Sequence, residues 1–294
     1  MFFKPKKGTI EKNCNQNTMQ EIPPFSKEGK LPMLAFDHRG SFGKMMQAAY
    51  PETVVTEEEM IALKRAVIAA VASITSGMLI DQDMGLPAYK NLGIDTPFLL
   101  PLEKTGYTDA AGERVTELMY SPESLIADGA KGAKLLIYSN HNLPTWEKQL
   151  ETTRVALRGV AQVGLPLFLE FVDYDANGVA SGSVVENVAS AIRAGIVPSV
   201  WKIAYPGSRE ECRKMTEICG DTPWIVLTGG GTFEEFAKHY QIAIEEGASG
   251  FLAGRALWAE ACNFYRDKVQ LGEFLGKTLT ERFEKLNAIT FGKY

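Results

Sequence analysis

A short apolar run followed by an amphipathic or loop-like stretch recurs eight times after Lys30, and this alternation limits the fold more than any other feature of the chain. The runs are Met33–Phe36, Gly77–Ile80, Pro97–Leu102, Ala133–Tyr138, Pro166–Val172, Val200–Tyr205, Trp224–Leu227 and Gly250–Ala253. They are almost continuously apolar, whereas a strand with one wet face alternates apolar and polar residues. That marks parallel strands covered on both sides. Helical stripes lie between them. Thr56-Glu57-Glu58-Glu59 reads as a capping box, and Met60, Leu63, Val67 and Val71 then share one face. Trp146, Leu150, Leu157 and Val160 form a second stripe, and Val184, Val185, Val188 and Ile192 a third. Phe233, Phe236, Ala237, Tyr240 and Ile244 form a fourth. Gly77, Gly164, Gly195, Gly220 and Gly247 stand where helices are expected to end. The helix signal is weaker around Pro122–Asp128, after the third run.

Eight such units over about 260 residues predict one α/β domain, a (β/α)8 TIM barrel spanning 31–294. No GxGxxG follows the first run, which argues against a dinucleotide-binding sheet. Residues 1–30 form an N-terminal extension that reads either as a loose tail or as a lid across the bottom of the barrel. With 294 residues, 45% of them hydrophobic and 23% charged, the chain can bury a large core. A net charge of -5 argues against nucleic acid or an anionic membrane as a partner, though not against a small anion held by local charge. No apolar run reaches the ~18 residues of a membrane span. No signal-peptide core opens the chain, so a cytoplasmic protein is expected. The four cysteines (Cys14, Cys212, Cys219, Cys262) contain no CxxC pair, and the three histidines (His38, His141, His239) show no ligand spacing. Neither a disulfide framework nor a metal or cofactor is therefore expected.

Active sites of such barrels gather at the C-terminal ends of the strands. The first three ends carry Asp37-His38-Arg39, Asp81-Gln82-Asp83 and Glu103-Lys104. Lys134 opens the fourth run, Glu170 lies within the fifth and Lys202 within the sixth. An ammonium on a buried strand loses hydration, which disfavours its charged form. A neutral amine can attack a ketone carbonyl and form a Schiff base. The bland reading of Lys202 is a lysine that snorkels out at a strand end or pairs with a buried carboxylate. Glu170 has two readings as well: a structural ion pair with Lys134 or Lys202, or a shuttle for protons between carbinolamine, imine and enamine. Asp37 reads as a cap or as a substrate contact. Two lysines and a carboxylate facing one cavity are what amine catalysis requires, because a second ammonium eases deprotonation of the first. Lys202, Glu170, Lys134 and Asp37 are accordingly the candidate catalytic residues. Arg39, Asp81 and Gln82 are read as further substrate contacts from the neighbouring strand ends.

The last two strand ends carry a different signal. Thr228-Gly229-Gly230-Gly231 leads into a helix near Thr232, and glycines let backbone N–H groups converge on an anion. Gly254-Arg255 adds a guanidinium able to grip a phosphate with two hydrogen bonds. Loops after the seventh and eighth strands are a recurrent phosphate site in this fold. Thr228, Gly229, Gly230, Gly254 and Arg255 are thus the candidate phosphate residues.

Taken in order, these residues resemble the tagatose-1,6-bisphosphate aldolase family and its sulfofructose-phosphate relative, both Schiff-base (class I) aldolases. The resemblance runs from about Leu31 to Trp258. It rests on Leu34–Gly40, Leu102–Tyr107, Ala133–Tyr138, Phe168–Glu170 with Tyr174-Asp175, Trp201-Lys202 and Gly247–Trp258. It implies that Lys202 is the Schiff-base lysine, that Lys134 holds a substrate hydroxyl, that Glu170 moves protons and that Asp37 assists carbon–carbon cleavage. It further implies a metal-independent reaction of a ketose 1-phosphate or 1,6-bisphosphate giving dihydroxyacetone phosphate and an aldehyde, in a homo-oligomer. The chain departs from the family in places. Ala204 stands where a carboxylate is usual, Asp37-His38-Arg39 replaces the commoner Asp-Gln-Arg, and the glycine loop is Thr-Gly-Gly-Gly. Asp37-His38-Arg39 and Pro198–Lys202 are also similar to the aldolase that cleaves a deoxy-keto-gluconate phosphate, so the sugar stays open. A non-covalent sugar-phosphate isomerase or epimerase, with Glu170 as base and Lys134 as electrophile, is the alternative enzyme. A sugar-phosphate sensor is the non-catalytic one, with Ala204 its one hint.

Overall fold

The computed structural model describes residues 22, 24–110, 113–174 and 184–293. Its strands, in chain order, are β1 (Leu31–Phe36), β2 (Gly77–Ile80), β3 (Phe98–Pro101), β4 (Thr108–Ala110) and β5 (Glu113–Val115). They continue with β6 (Gly132–Ser139), β7 (Leu167–Asp173), β8 (Val200–Ile203), β9 (Trp224–Leu227) and β10 (Gly250–Ala253). All but β4 and β5 form a closed parallel barrel in which β10 returns to pair with β1. β4 and β5 form a separate antiparallel hairpin after β3, which the alternation in the sequence does not predict.

The helices are α1 (Gly40–Ala49), α2 (Glu57–Val71), α3 (Gly85–Lys90), α4 (Pro122–Ala127), α5 (Trp146–Val163) and α6 (Val184–Arg193). After them come α7 (Arg209–Cys219), α8 (Phe233–Glu245), α9 (Arg255–Trp258), α10 (Lys268–Glu273) and α11 (Thr280–Thr290). Each of the eight expected apolar runs overlaps a barrel strand, although β1, β6 and β7 extend past their runs to Leu31, to Gly132 and Ser139, and to Asp173. The runs overshoot at Pro97 and Pro166, which have no N–H for the ladder. Their carbonyls still accept from Met78 and Ala133. The capping box at Thr56 and Glu59 opens α2, and a second, at Thr232 and Glu235, opens α8. The weak signal near Pro122 becomes the one-and-a-half turns of α4, capped by Ser121.

One glycine assignment needs correcting. Gly164, Gly195, Gly220 and Gly247 follow helices with positive φ, but Gly77 opens β2, well past the end of α2. A Cβ there would stand 2.6 Å from the ring of Phe25, and one at Gly132 would stand 2.6 Å from Leu99 and 3.1 Å from Phe25. Both glycines begin strands, so Phe25 sits at the N-terminal mouth of the barrel. It is fully buried and meets Phe168 edge-on, with 5.5 Å between ring centroids. Lys27 and Lys30 exchange two backbone hydrogen bonds, which turn the chain from Phe25 into β1. Phe25 thus packs at the base of the barrel, whereas residues 1–21 and 23, most of the extension, lie outside the described residues, as does Cys14.

Two apolar layers follow from this arrangement. Inside the barrel, Met33 and Ala35 of β1 meet Leu79, Leu99, Phe168, Val200, Ile225 and Leu252, with Phe25 beneath. Outside it, the opposite strand faces pack on the helices, as Leu34, Phe36, Leu100, Phe171, Trp201 and Val226 do. Removing the Phe25 ring would leave a cavity in a mouth bordered by two glycines. Phe25→Ala is expected to lower the unfolding free energy by about 3–5 kcal/mol, measured by urea denaturation.

Candidate active site

Side chains two apart on a strand share a face. The inward faces that supply the apolar interior therefore supply the next layer as well. Above Ala35 comes Asp37, above Phe168 comes Glu170, above Val200 comes Lys202, and Lys134 enters from β6. Register sets Glu170 directly opposite Lys202 on the neighbouring strand. These four side chains line a cavity of ≈ 280 Å³ at the C-terminal end of the barrel. Thr228, Gly229, Gly254 and Arg255 line it too, with Ala35, His38, Leu136, Val172, Leu227 and Leu252 completing the wall.

The ionisable groups form one connected cluster. Lys134 Nζ lies 3.0 Å from Asp37 Oδ2, 2.5 Å from Glu103 Oε1 and 3.2 Å from Glu170 Oε2. Lys202 Nζ donates to Glu170 Oε2 at 2.8 Å. Both lysines are buried. The protonation preferences follow from the balance of burial against neighbours. Burial alone would raise Asp37, but Lys134 and Lys202 outweigh it and hold the carboxyl far below its ordinary range. Glu170 is lowered in the same way, with burial opposing and Lys134 and Lys202 prevailing. Glu103 goes the other way, because burial there outweighs Lys134. Burial works against Lys134's charge, but Asp37, Glu103 and Glu170 drive its pKa well above the lysine range. The sequence argument set Lys134 against Lys202 as like charges; the structure surrounds Lys134 with three carboxylates.

The glycine loop after β9 borders the same cavity. Gly229 and Gly230 have φ of 58° and 94°, an arrangement that lets successive N–H groups turn inward. Thr232 then caps α8. Gly230 is not among the residues that line the cavity; a Cβ on it would come within 3.7 Å of Arg255 Nη2.

Three residues read as substrate contacts do not line the cavity. Asp81 is fully buried on the far side of β1 and β2, bound to Lys64 Nζ and to the N–H groups of Met84 and Gly85. Its carboxylate is saturated by helix-start donors and an ammonium, which explains why it turns away. Gln82 donates to the Pro101 carbonyl at 2.9 Å. Arg39 Nη2 donates to the Glu103 carbonyl at 3.4 Å, and Nη1 pairs with Asp83 at 3.6 Å. Ala204 does not line the cavity either, so the absent carboxylate leaves no gap in its wall. Asp175, part of the resemblance, lies outside the described residues.

Two members were missed from the sequence. Glu103 follows the third strand and could have been included on the same ground as Asp37. His38 lines the cavity with its ring edge-on to Trp258, centroids 5.1 Å apart. Its Nδ1 is buried, has no hydrogen-bond partner among the described residues and stands 3.8 Å from Asp37 Oδ1. Burial pushes its pKa down to about 4; Asp37 opposes this, while Arg255, Lys64 and Lys202 add to it.

A family model described as DeoC/LacD family aldolase matches residues 31–260. The tagatose 1,6-diphosphate aldolase of Lactococcus lactis subsp. lactis is 30% identical over 301 residues, covering 90% of this chain and 91% of that one. That of Streptococcus pneumoniae R6 is also 30% identical, with the same coverage of both chains. Among solved structures, an archaeal fructose 1,6-bisphosphate aldolase shares the fold with a TM-score of 0.64 at 22% identity, over 91% of this chain and 96% of that one. A Schiff-base-forming fructose-1,6-bisphosphate aldolase does so at 0.61 and 23%, over 86% and 94%. Barrel and family together make this chain a carbon–carbon lyase. It belongs to the DeoC/LacD family of aldolases. Among the described residues no helix is long and apolar enough to cross a membrane.

His38 makes one consequence measurable. Its imidazole is harder to protonate folded than unfolded, so the unfolded chain binds more protons between pH 6.5 and about 4. The stability it contributes is present above pH 6.5 and is lost as pH falls through that window, by ~3 kcal/mol. In urea unfolding at pH 7 and pH 4.5, His38→Gln should lose less stability between the two than the unaltered protein does.

Proposed function

We propose that this chain is a class I aldolase that cleaves a ketose 1-phosphate or 1,6-bisphosphate to dihydroxyacetone phosphate and an aldehyde. The observation that carries the reading is the 2.8 Å contact between Lys202 Nζ and Glu170, inside a cavity whose other end holds Thr228, Gly229, Gly254 and Arg255. The relatives named for tagatose 1,6-diphosphate support the substrate class.

The phosphate on C1 would sit on the Gly229 backbone and Arg255, leaving C2 beside Lys202. Passing a proton from Lys202 to Glu170 frees the nitrogen lone pair, which attacks C2, and the carbonyl oxygen takes one of the two protons left on that nitrogen to give the carbinolamine. Glu170 then protonates that oxygen, which leaves as water and gives the iminium. Asp37, held ionised, takes the proton of the C4 hydroxyl. The C3–C4 bond breaks, its electrons run to the iminium nitrogen, and the aldehyde departs. Protonation of the enamine at C3 and hydrolysis of the imine return Lys202 and release dihydroxyacetone phosphate. Lys134 stays charged throughout and can donate to the substrate oxygen nearest Asp37. The protonated imine supplies the electron sink that a metal supplies in other aldolases.

Borohydride added during turnover should leave a triose-phosphate adduct on Lys202, seen by peptide mass. Chelators should leave the rate unchanged. Lys202→Met should abolish cleavage while the circular dichroism spectrum is retained. Turnover without a trapped adduct would point instead to proton-transfer chemistry by Glu170.

A further inference from the structure

Lys64 is a fully buried lysine that does not line the cavity. It projects from α2 toward the ends of β1 and β2. Its Nζ donates to the Phe36 carbonyl at 2.7 Å, to the His38 carbonyl at 2.9 Å and to Asp81 Oδ2 at 2.5 Å. All three ammonium protons thus have acceptors. The rings of Phe36 and Phe42 cover the charge, their centroids 4.5 and 5.3 Å from Nζ. Asp81 is fixed in turn by the N–H groups of Met84, at 2.8 Å, and Gly85, at 3.2 Å.

Stability does not account for such a pair. Well-packed apolar residues of similar volume usually serve a fold as well as a buried ion pair, or better. What the pair does locally is specific. The pairing of β1 with β2 ends at Phe36 opposite Ile80, so Asp37 lies just past the last paired residue. Lys64 grips the carbonyls on either side of it, which sets the backbone of Asp37 from behind while its carboxylate faces Lys134 at 3.0 Å.

We propose that Lys64, braced by Asp81, is a positioning residue that aims the Asp37 carboxylate at the substrate hydroxyl whose proton is lost in carbon–carbon cleavage. The proposal rests on the class I aldolase reading given above. Lys64 touches no reacting atom; it acts through the backbone on either side of Asp37. Phosphate capture and imine formation belong to Arg255, Gly229, Lys202 and Glu170, so they should survive its loss.

The test uses the full chain with Lys64→Met, and Lys64→Met combined with Asp81→Asn. The second variant leaves no lone buried charge and keeps an oxygen for the Met84 N–H. Cleavage is followed on whichever ketose 1-phosphate or 1,6-bisphosphate the unaltered protein turns over fastest. Imine formation is followed by borohydride trapping with dihydroxyacetone phosphate. The expected result for the double variant is a fall in kcat of about 10²-fold, the scale of a misplaced catalytic group, with KM and the trapped fraction on Lys202 little changed. Equal losses in cleavage and trapping, or no loss in either, would overturn the proposal. Failure of both variants to fold would overturn it too, since it would make the pair a stability element. Absence of an adduct in the unaltered protein strikes the aldolase reading itself and is told apart on that control.

Discussion

The site depends on one ammonium held by three carboxylates. Lys134 sits among Asp37, Glu103 and Glu170 in the mouth of a barrel whose next layer down is wholly apolar. A buried charge without a partner costs several kcal/mol, so no member of the group is independent of the others. Lys134 keeps Asp37 and Glu170 ionised; they and Glu103 keep Lys134 charged. Glu103, raised by burial, is the carboxyl of the three whose charged form is least favoured.

That balance also separates two kinds of recognition along one cavity. On the side of β9 and β10, Gly229, Gly254 and Arg255 offer backbone donors and a guanidinium, a surface for an anion. On the side of β6 and β7, Lys134 and Glu170 are already paired with other charged side chains. Lys202 stands between them, bonded to the cluster through Glu170 and open to the anion end. An extended substrate with a phosphate at one end and hydroxyls further along matches that polarity.

Much of this was legible in the residues alone, for identifiable reasons. Eight apolar runs read as buried parallel strands because both strand faces are covered, and each run overlaps one. Lys134, Glu170 and Lys202 stood out because a charge inside such a run has nowhere to go but the barrel lumen. The hairpin of β4 and β5 was not legible, since short edge strands carry no periodic apolar signal. The strand-end residues were harder. Asp37 and Asp81 occupy equivalent places after β1 and β2, yet one faces the cavity and the other is turned away by Lys64 and the start of α3. Lys64 falls within the apolar stripe of Met60, Leu63, Val67 and Val71, so helical spacing already places it on the buried face of α2, while its partners show only in the fold.

The floor of the barrel carries a consequence for where this domain begins. Phe25 belongs to no strand, yet it fills the space below Phe168 that two glycines keep open. A (β/α)8 barrel defined by its own secondary structure would start at Leu31 and be left with a hole at its base. The apolar interior therefore draws on a side chain upstream of its first strand, so packing ties Phe25 to the barrel although repeat counting does not.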